Sequence, residues 1–497
     1  MDFFGGVDLV SGFIWGGTWG DRQVLPLGLL AFVLLGTGLW FMVATGFRPV
    51  VRFVPALKEV WRGRKAQGDG GAITPWQALS TALSGQVGTG NLAGVATAVS
   101  LGGPGAIFWM WITALLGMAC AFAESSLAVQ YRETHQGTLR GGPMYYIKNG
   151  LNGGRGGFGG KFGWLAVFFC LGTLFSAFAT GGMIQSNSVA QAVGVASGGR
   201  FPAWLTGALV AALVFVVIVG GIKSIGKVAG RVVPFMAGLY VLVAFVVVLM
   251  NIQHVPEAFG LIFSHAFGFE QAVGGAAGYG VLNAVRYGIA RGLFSNEAGQ
   301  GSAPIAHATA QTGGPVMQGE IAMIGVFIDT IVICTMTALV LLTVDGQFES
   351  AGGVVEYVWQ SETLDTAGRT AAAYAEAIPF GDLFIAVALF LFAFTTMLGW
   401  SYYAETSITY MFGERAAMPV KFVWVLLIFG GALITNTDSL WRLGDIANAA
   451  MAFPNLLAIL LLSGTVLALH KGRTPKVTGD EGTAETPLPH ARPEPAE

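Results

Sequence analysis

Long apolar runs separated by short polar stretches repeat along most of the chain. They lie at 25–47, 76–100, 104–131, 162–195, 202–221, 230–252, 275–303, 316–344, 379–412, 420–437 and 443–469. About 20 mostly apolar residues span a bilayer as one helix, so the pattern predicts an all-α integral membrane protein with eleven transmembrane helices. Two runs break the pattern. The second reads SGQVGTGNLAGVATA from Ser84, and the seventh reads ARGLFSNEAGQGSAP from Ala290. Both cluster glycine and polar side chains where a spanning helix is otherwise apolar. Non-helical backbone at membrane depth is tolerated only where it is buried in protein or lines a cavity. A broken helix offers free N–H groups at one half-helix end, suited to a carboxylate, and free carbonyls at the other, suited to a small cation.

The two interrupted runs are five apart. With the first run set aside, they fall first and sixth of ten, the pattern of two inverted five-helix repeats with a binding site between them. This divides the chain into an outer N-terminal segment (1–24), a leading helix (25–47), a first repeat (76–252), a second repeat (275–469) and a disordered cytoplasmic tail (470–497). The competing reading is that glycine only lets helices pack closely, but two matched polar breaks favour a site.

Charge gives an independent check on the runs. Arg48, Arg52, Lys58, Arg62, Arg64 and Lys65, then Arg132, Arg140, Lys148, Arg155 and Lys161, then Lys223, Lys227 and Arg231, and later Arg415, Lys421 and four tail residues all fall on one side. The other side holds Arg22, Arg200, Arg369 and Arg442, while Arg286 and Arg291 lie inside the seventh run. Lys and Arg resist translocation, so the N-terminus is expected outside and the C-terminus in the cytoplasm, in a plasma membrane (the inner membrane of a Gram-negative cell). The first 20 residues have no basic region and carry Asp2 and Asp8, so they read as retained rather than as a cleaved signal.

Hydrophobic residues make up 54% of the 497 and charged residues 11%, which excludes an ordinary soluble enzyme and a nucleic-acid binder. Cys120, Cys170 and Cys334 sit in apolar runs as packing residues. The six histidines show no metal spacing, and no Walker A motif is present.

GQVGTGNLAGVATA (85–98), FAESSLAVQYR (122–132), GGPMYYI (141–147), ARGLFSNEAGQGSAPIAHATA (290–310), FIDTIVICT (327–335) and LGWSYYAE (398–405) together resemble the signatures of the alanine or glycine:cation symporter family, also called the sodium:alanine symporters. The resemblance runs from about residue 25 to 470. It implies a LeuT-type fold with one extra leading helix, and uptake of a small neutral amino acid, alanine or glycine, with Na+ or sometimes H+. The segment VGTGN (87–91) also resembles the VGxGN break of the neurotransmitter:sodium symporters. Carried over by position, the resemblance implies that the Thr89 and Gly90 amides hold the substrate carboxylate and that Asn91 lends an oxygen to an ion. It likewise implies that the Ser84 and Val87 carbonyls face a second ion. The chain departs from those relatives by placing Gln86 where they have a small residue.

Other candidates stand on their own chemistry. Thr395 and Thr396 offer two neutral oxygens for a cation, and Trp400, four residues after Thr396, shares its helical face as a pocket wall. Against this, threonine bonds back to its own helix and tryptophan packs bundles. Gln185 is a buried amide suited either to the substrate or to interhelical bonding. Among intramembrane acids, Glu124 and Glu405 read as structural, with Arg286 and Arg291 as partners. Asp329 and Glu297 are candidates for gating or ion passage. The leading expectation is a secondary active symporter, not an enzyme, that needs no cofactor beyond Na+ as coupling ion. A proton-coupled permease of the same fold is the alternative, and an ion channel a more distant one.

Overall fold

The computed structural model describes residues 9–473, apart from 21, 26–27, 67–70, 136, 158, 269–275, 345–346, 350–354, 362–363, 365 and 436–437. The tail expected at 470–497 therefore lies outside the described residues from 474 onward, as do residues 1–8 of the expected outer segment.

Most of the longer helices follow the apolar runs, whereas Phe53–Arg62, Val255–Phe267 and Thr366–Ala377 lie between them. The main helices are α1 (Leu29–Ala44), α2 (Pro75–Gln86), α3 (Ala93–Gly102), α4 (Ala106–Gln130), α5 (Gly163–Gly194), α6 (Ala203–Ile218), α7 (Gly221–Met250) and α8 (Val255–Phe267). After them come α9 (Ala276–Asn296), α10 (Ala303–His307), α11 (Pro315–Thr343), α12 (Thr366–Ala377), α13 (Gly381–Phe412), α14 (Glu414–Ala432), α15 (Asp438–Leu461) and α16 (Ser463–His470). Seven of these (α4, α5, α7, α11, α13, α14 and α15) are long and apolar enough to cross a membrane, and α1 and α6 are shorter apolar helices. The two glycine-rich runs form the pairs α2/α3 and α9/α10, each interrupted between its halves. Residues such as Val216, Phe235 and Leu426 stand exposed on α6, α7 and α14, a surface that hydrocarbon would cover.

Local sequence sets the ends. Thr74 caps α2 by accepting the Gln77 N–H, and Gln77 accepts the Thr74 N–H in return. Pro75 follows at the first helical position, where no N–H is needed. The run expected at 230–252 begins earlier, at Gly221, so Lys223, Lys227 and Arg231 ride exposed on the first turns of α7 rather than in a loop. Basic side chains do not stop a helix, and their long stems reach water from its end.

The two interrupted pairs lie at the centre. α2 packs on α7 and α13, α9 packs on α4 and α3, and α4 lies between α9 and α11. Glu124 on α4 bonds the amide of Asn455 on α15, which in turn bonds the Gly299 carbonyl and takes the Tyr146 hydroxyl. Glu405 is ion-paired, though not with the arginines expected. Arg140, on a short strand after α4, holds both Glu405 at 2.9 Å and Glu414 at 2.6 Å, and Lys421 reaches Glu405 at 3.1 Å. The Arg140 side chain is 2% exposed. Burial alone would lower its pKa, but Glu414 and Glu405 outweigh that and hold it above the ordinary value, so it stays charged.

Removing one partner of a buried ion pair leaves an uncompensated charge and costs about 3–5 kcal/mol. Arg140→Met is therefore expected to lower the thermal unfolding temperature of the purified protein clearly. Arg140→Met combined with Glu405→Gln should cost less than the two changes summed. Full additivity in this cycle would show that the pair is not coupled.

Candidate functional site

The first break begins where α2 ends. Val87 turns extended (φ −78°, ψ 92°), and one 3-10 turn, Thr89–Asn91, follows before α3. Asn91 makes this conformation self-supporting, because its Oδ1 accepts the Gly88 N–H at 2.9 Å. Two further carbonyls are met from outside the segment. Thr337 donates to Asn91 O at 2.9 Å, and Thr370 of α12 donates to Leu92 O at 3.2 Å.

The second break runs from Glu297 to Ser302. Glu297 adopts φ 55°, which a non-glycine side chain rarely does, and Gly299 and Gly301 take φ 83° and 84°. Ser302 donates to Glu297 Oε2 at 2.6 Å, and Gln300 Nε2 donates back to Leu293 O at 3.0 Å.

Polar side chains tie the two breaks to each other and to α11. Gln86 Nε2 reaches Asn296 O at 2.8 Å. Asn91 Nδ2 donates to Asp329 Oδ1 at 2.6 Å and lies 3.1 Å from Ser295 Oγ. The other Asp329 oxygen takes the hydroxyls of Ser295 and Thr330, both at 2.8 Å. Asp329 is fully buried, and among the described residues it has no basic partner within ion-pair distance.

A cavity of about 20 Å³ lies where the breaks cross. Gly85, Gln86, Gly88, Gly90, Thr180, Gln185, Phe294, Glu297, Gln300, Thr396, Trp400 and Asn448 line it. This is room for about one water molecule, so a larger ligand enters only if the lining moves. Gln185 approaches Thr89 twice, with Oε1 3.4 Å from the Thr89 N–H and Nε2 3.2 Å from the Thr89 hydroxyl. Gln86 Oε1 and Gln300 Oε1 are buried with no hydrogen-bond partner among the described residues. Trp400 is 3% exposed, and a Cβ at Gly181 would stand only 2.5 Å from it, so glycine there seats the indole.

The chain matches the model of the sodium:alanine symporter family over residues 20–481. The chain belongs to that family. Its sequence is 43% identical over 472 residues to the sodium/alanine symporter AgcS of Methanococcus maripaludis, covering 94% of this chain and 96% of that protein. It is 37% identical over 447 residues to a probable sodium/glutamine symporter, GlnT, of Bacillus subtilis, covering 90% of this chain and 88% of the relative. In fold it is similar to the crystal structure of MhsT in complex with L-phenylalanine, with a TM-score of 0.56 at 14% identity over 82% of this chain and 94% of that one. The fold is LeuT-type, and the protein is a Na+-coupled amino-acid symporter rather than an enzyme.

Within this symporter, Thr89, Gly90, Gln185, Thr396 and Trp400 converge on or beside the central cavity, and Asn91 ends the same 3-10 turn as Thr89 and Gly90 with its side chain toward Asp329. Thr396 donates to Val87 O at 3.3 Å, and a Cβ on Gly399 would fall 2.7 Å from Ser84 Oγ, so α13 meets the end of α2 closely. Thr395 points elsewhere. Its hydroxyl bonds back to Leu391 O and Phe392 O and lies 3.4 Å from Met236 Sδ. Asn91 Oδ1 is taken by the Gly88 N–H, so the amide faces Asp329 with its nitrogen. Phe294, Ser295 and Gln300 were within reach of sequence reasoning, because they lie in the quoted ARGLFSNEAGQGSAP segment. Asn448 was not, since nothing in its own stretch marks it.

Trp400→Ala is expected to open the pocket to larger neutral amino acids. A steric wall of this kind is worth about 1–3 kcal/mol, so inhibition of alanine uptake by leucine should strengthen about ten-fold or more. An unchanged inhibition profile would remove Trp400 from the pocket wall.

Proposed function

We propose that this symporter takes up a small neutral amino acid, alanine foremost, with Na+, at the crossing of the two breaks. The observation that carries the proposal is the lining of the central cavity, in which glycine backbone, neutral amides, two threonines, the rings of Phe294 and Trp400 and the Glu297 carboxylate meet with no basic side chain among the described residues. The Thr89 and Gly90 N–H groups take the carboxylate, replacing the long bond from Thr89 to Gln185. The ammonium meets Gln86 Oε1 and Gln300 Oε1, acceptors that are otherwise unmatched. Trp400 and Phe294 limit the side chain. That AgcS is named a sodium/alanine symporter supports alanine.

Na+ binds at the Ser84 and Val87 carbonyls with the Thr396 hydroxyl. Thr395 and Asn91 reach their cations only after giving up the bonds they make here. A cage of neutral oxygens suits a hard cation and needs no titratable group. The basic residues of α7 are all exposed near its start, so none stands in for the ion. Proton coupling is the second reading, and the buried Asp329 and Glu297 are what favour it.

The chain crosses the plasma membrane eleven times, with its N-terminus outside and its C-terminus in the cytoplasm. The repeats 76–252 and 275–469 pack as two inverted halves. Cargo and cation bind near the midplane, and the bundle carrying α2 and α9 rocks to open the site on each side in turn.

The deciding experiment is alanine uptake into proteoliposomes with Na+ and proton gradients imposed separately. Accumulation driven by the Na+ gradient is expected. Accumulation driven by a pH gradient and indifferent to Na+ would overturn the ion assignment. Thr396→Val should raise the Na+ concentration for half-maximal uptake by about ten-fold or more, the loss of one oxygen ligand at about 1.4 kcal/mol per decade. An unshifted Na+ requirement would remove Thr396 from the ion site.

A further inference from the structure

The short helix Phe53–Arg62, between α1 and α2, turns three faces to three surroundings. Phe53, Ala56 and Val60 pack on α4 and α11, with the Phe53 and Phe327 rings 4.7 Å apart. Val54, Leu57 and Trp61 form a second stripe, apolar yet exposed, and Trp61 is 66% exposed. Lys58 and Arg62 stand exposed on the third. A helix whose outer surface is divided between an apolar and a basic face lies in the plane of a membrane–water interface.

The start of α7 marks the same level. Lys223, Lys227 and Arg231 recur every four residues along one exposed ridge, and Phe235 and Leu239 continue it as exposed apolar side chains. Trp76 joins the two elements. Its indole N–H donates to Gly230 O at 3.0 Å, next to Arg231. The Arg64 guanidinium lies 5.2 Å from the Trp76 ring and 3.6 Å from that of Trp61, so two aromatic faces hold it while the side chain stays exposed. Among the described residues Arg64, Lys223, Lys227 and Arg231 have no carboxylate within ion-pair distance, whereas the neighbouring Arg48, Arg52 and Arg62 do. Unneutralised cations at the end of an exposed apolar ridge are the complement of an anionic phospholipid, phosphate at one end and acyl chain at the other. A free phosphate would leave the apolar part uncovered.

We propose that the surface formed by Arg64, Trp76, Lys227 and Arg231 is a binding site for one anionic phospholipid. The phosphate meets Arg64 and Arg231 with Lys227 beside it, and an acyl chain runs along Phe235 and Leu239. Trp76 is the second residue of α2, so the lipid rests against the half-helix that leads into the first break. The site does not depend on which amino acid or ion is carried.

Native mass spectrometry of the purified protein, titrated with phosphatidylglycerol or with phosphatidylcholine of the same acyl chains, tests it. One basic residue at a membrane surface strengthens anionic-lipid binding about five-fold, so three should give the parent a preference for phosphatidylglycerol of about a hundred-fold. Arg64→Gln, Lys227→Gln and Arg231→Gln combined should remove most of that preference and leave phosphatidylcholine binding as it was, which separates lost charge from lost fold. Arg231→Gln alone should cost about five-fold, and Arg231→Lys should keep most of the preference. Excess inorganic phosphate should not release the lipid. Equal retention of the two lipids by the parent would overturn the site, as would a preference unchanged in the triple variant. Release of the lipid by inorganic phosphate would replace it with a simple anion site.

Discussion

A backbone N–H or C=O left unpaired in hydrocarbon costs several kcal/mol, and this molecule breaks two central helices where that cost would fall. Much of its buried polar chemistry answers the cost. Asn91 caps Gly88, Gln86 crosses to Asn296 O, Thr337 and Thr370 cover the carbonyls of Asn91 and Leu92, and Asn455 covers Gly299. These partners come from α11, α12 and α15 as well as from the broken helices themselves. Interrupting a helix in a membrane thus recruits much of the fold to support the interruption.

The support is incomplete around the central cavity, the proposed place of the cargo. Gln86 and Gln300 each spend their amide nitrogen on the opposite or neighbouring backbone and keep an unmatched oxygen. The Thr89 N–H makes only a long bond to Gln185. In the proposed binding mode an amino acid supplies a carboxylate for one group and an ammonium for the others. Val87 connects this to the proposed cation position, since its carbonyl meets the Thr396 hydroxyl two residues before the Thr89 N–H. In the proposed site, cargo and ion act on the same few residues of backbone, which would be the physical basis for coupling them.

The apolar runs and both breaks were legible in the sequence because they rest on local composition. Twenty apolar residues or four clustered glycines declare themselves without knowledge of neighbours. Helix edges were less so, as the early start of α7 at Gly221 shows. What the sequence could not supply was pairing across space. Arg286 and Arg291 seemed natural partners for Glu124 and Glu405, yet Glu405 meets Arg140 and Lys421, and Glu124 meets an amide. Sign identifies which charges are compatible, and only the fold decides which ones meet. Thr395 and Thr396 make the same point at single-residue scale. They are adjacent and chemically identical, but one faces Met236 and the other Val87.

The central claim is that amino acid and Na+ stabilise one shared stretch of broken helix. Thermodynamic linkage then requires each to tighten the other by the same factor. The direct measurement is equilibrium binding to the purified protein, titrating alanine at several fixed Na+ concentrations and Na+ at several fixed alanine concentrations. The account predicts that Na+ strengthens alanine binding by about 5–150-fold, the usual range of such coupling, and that alanine strengthens Na+ binding equally. Alanine affinity that does not change between Na+-free and saturating Na+ conditions would contradict it.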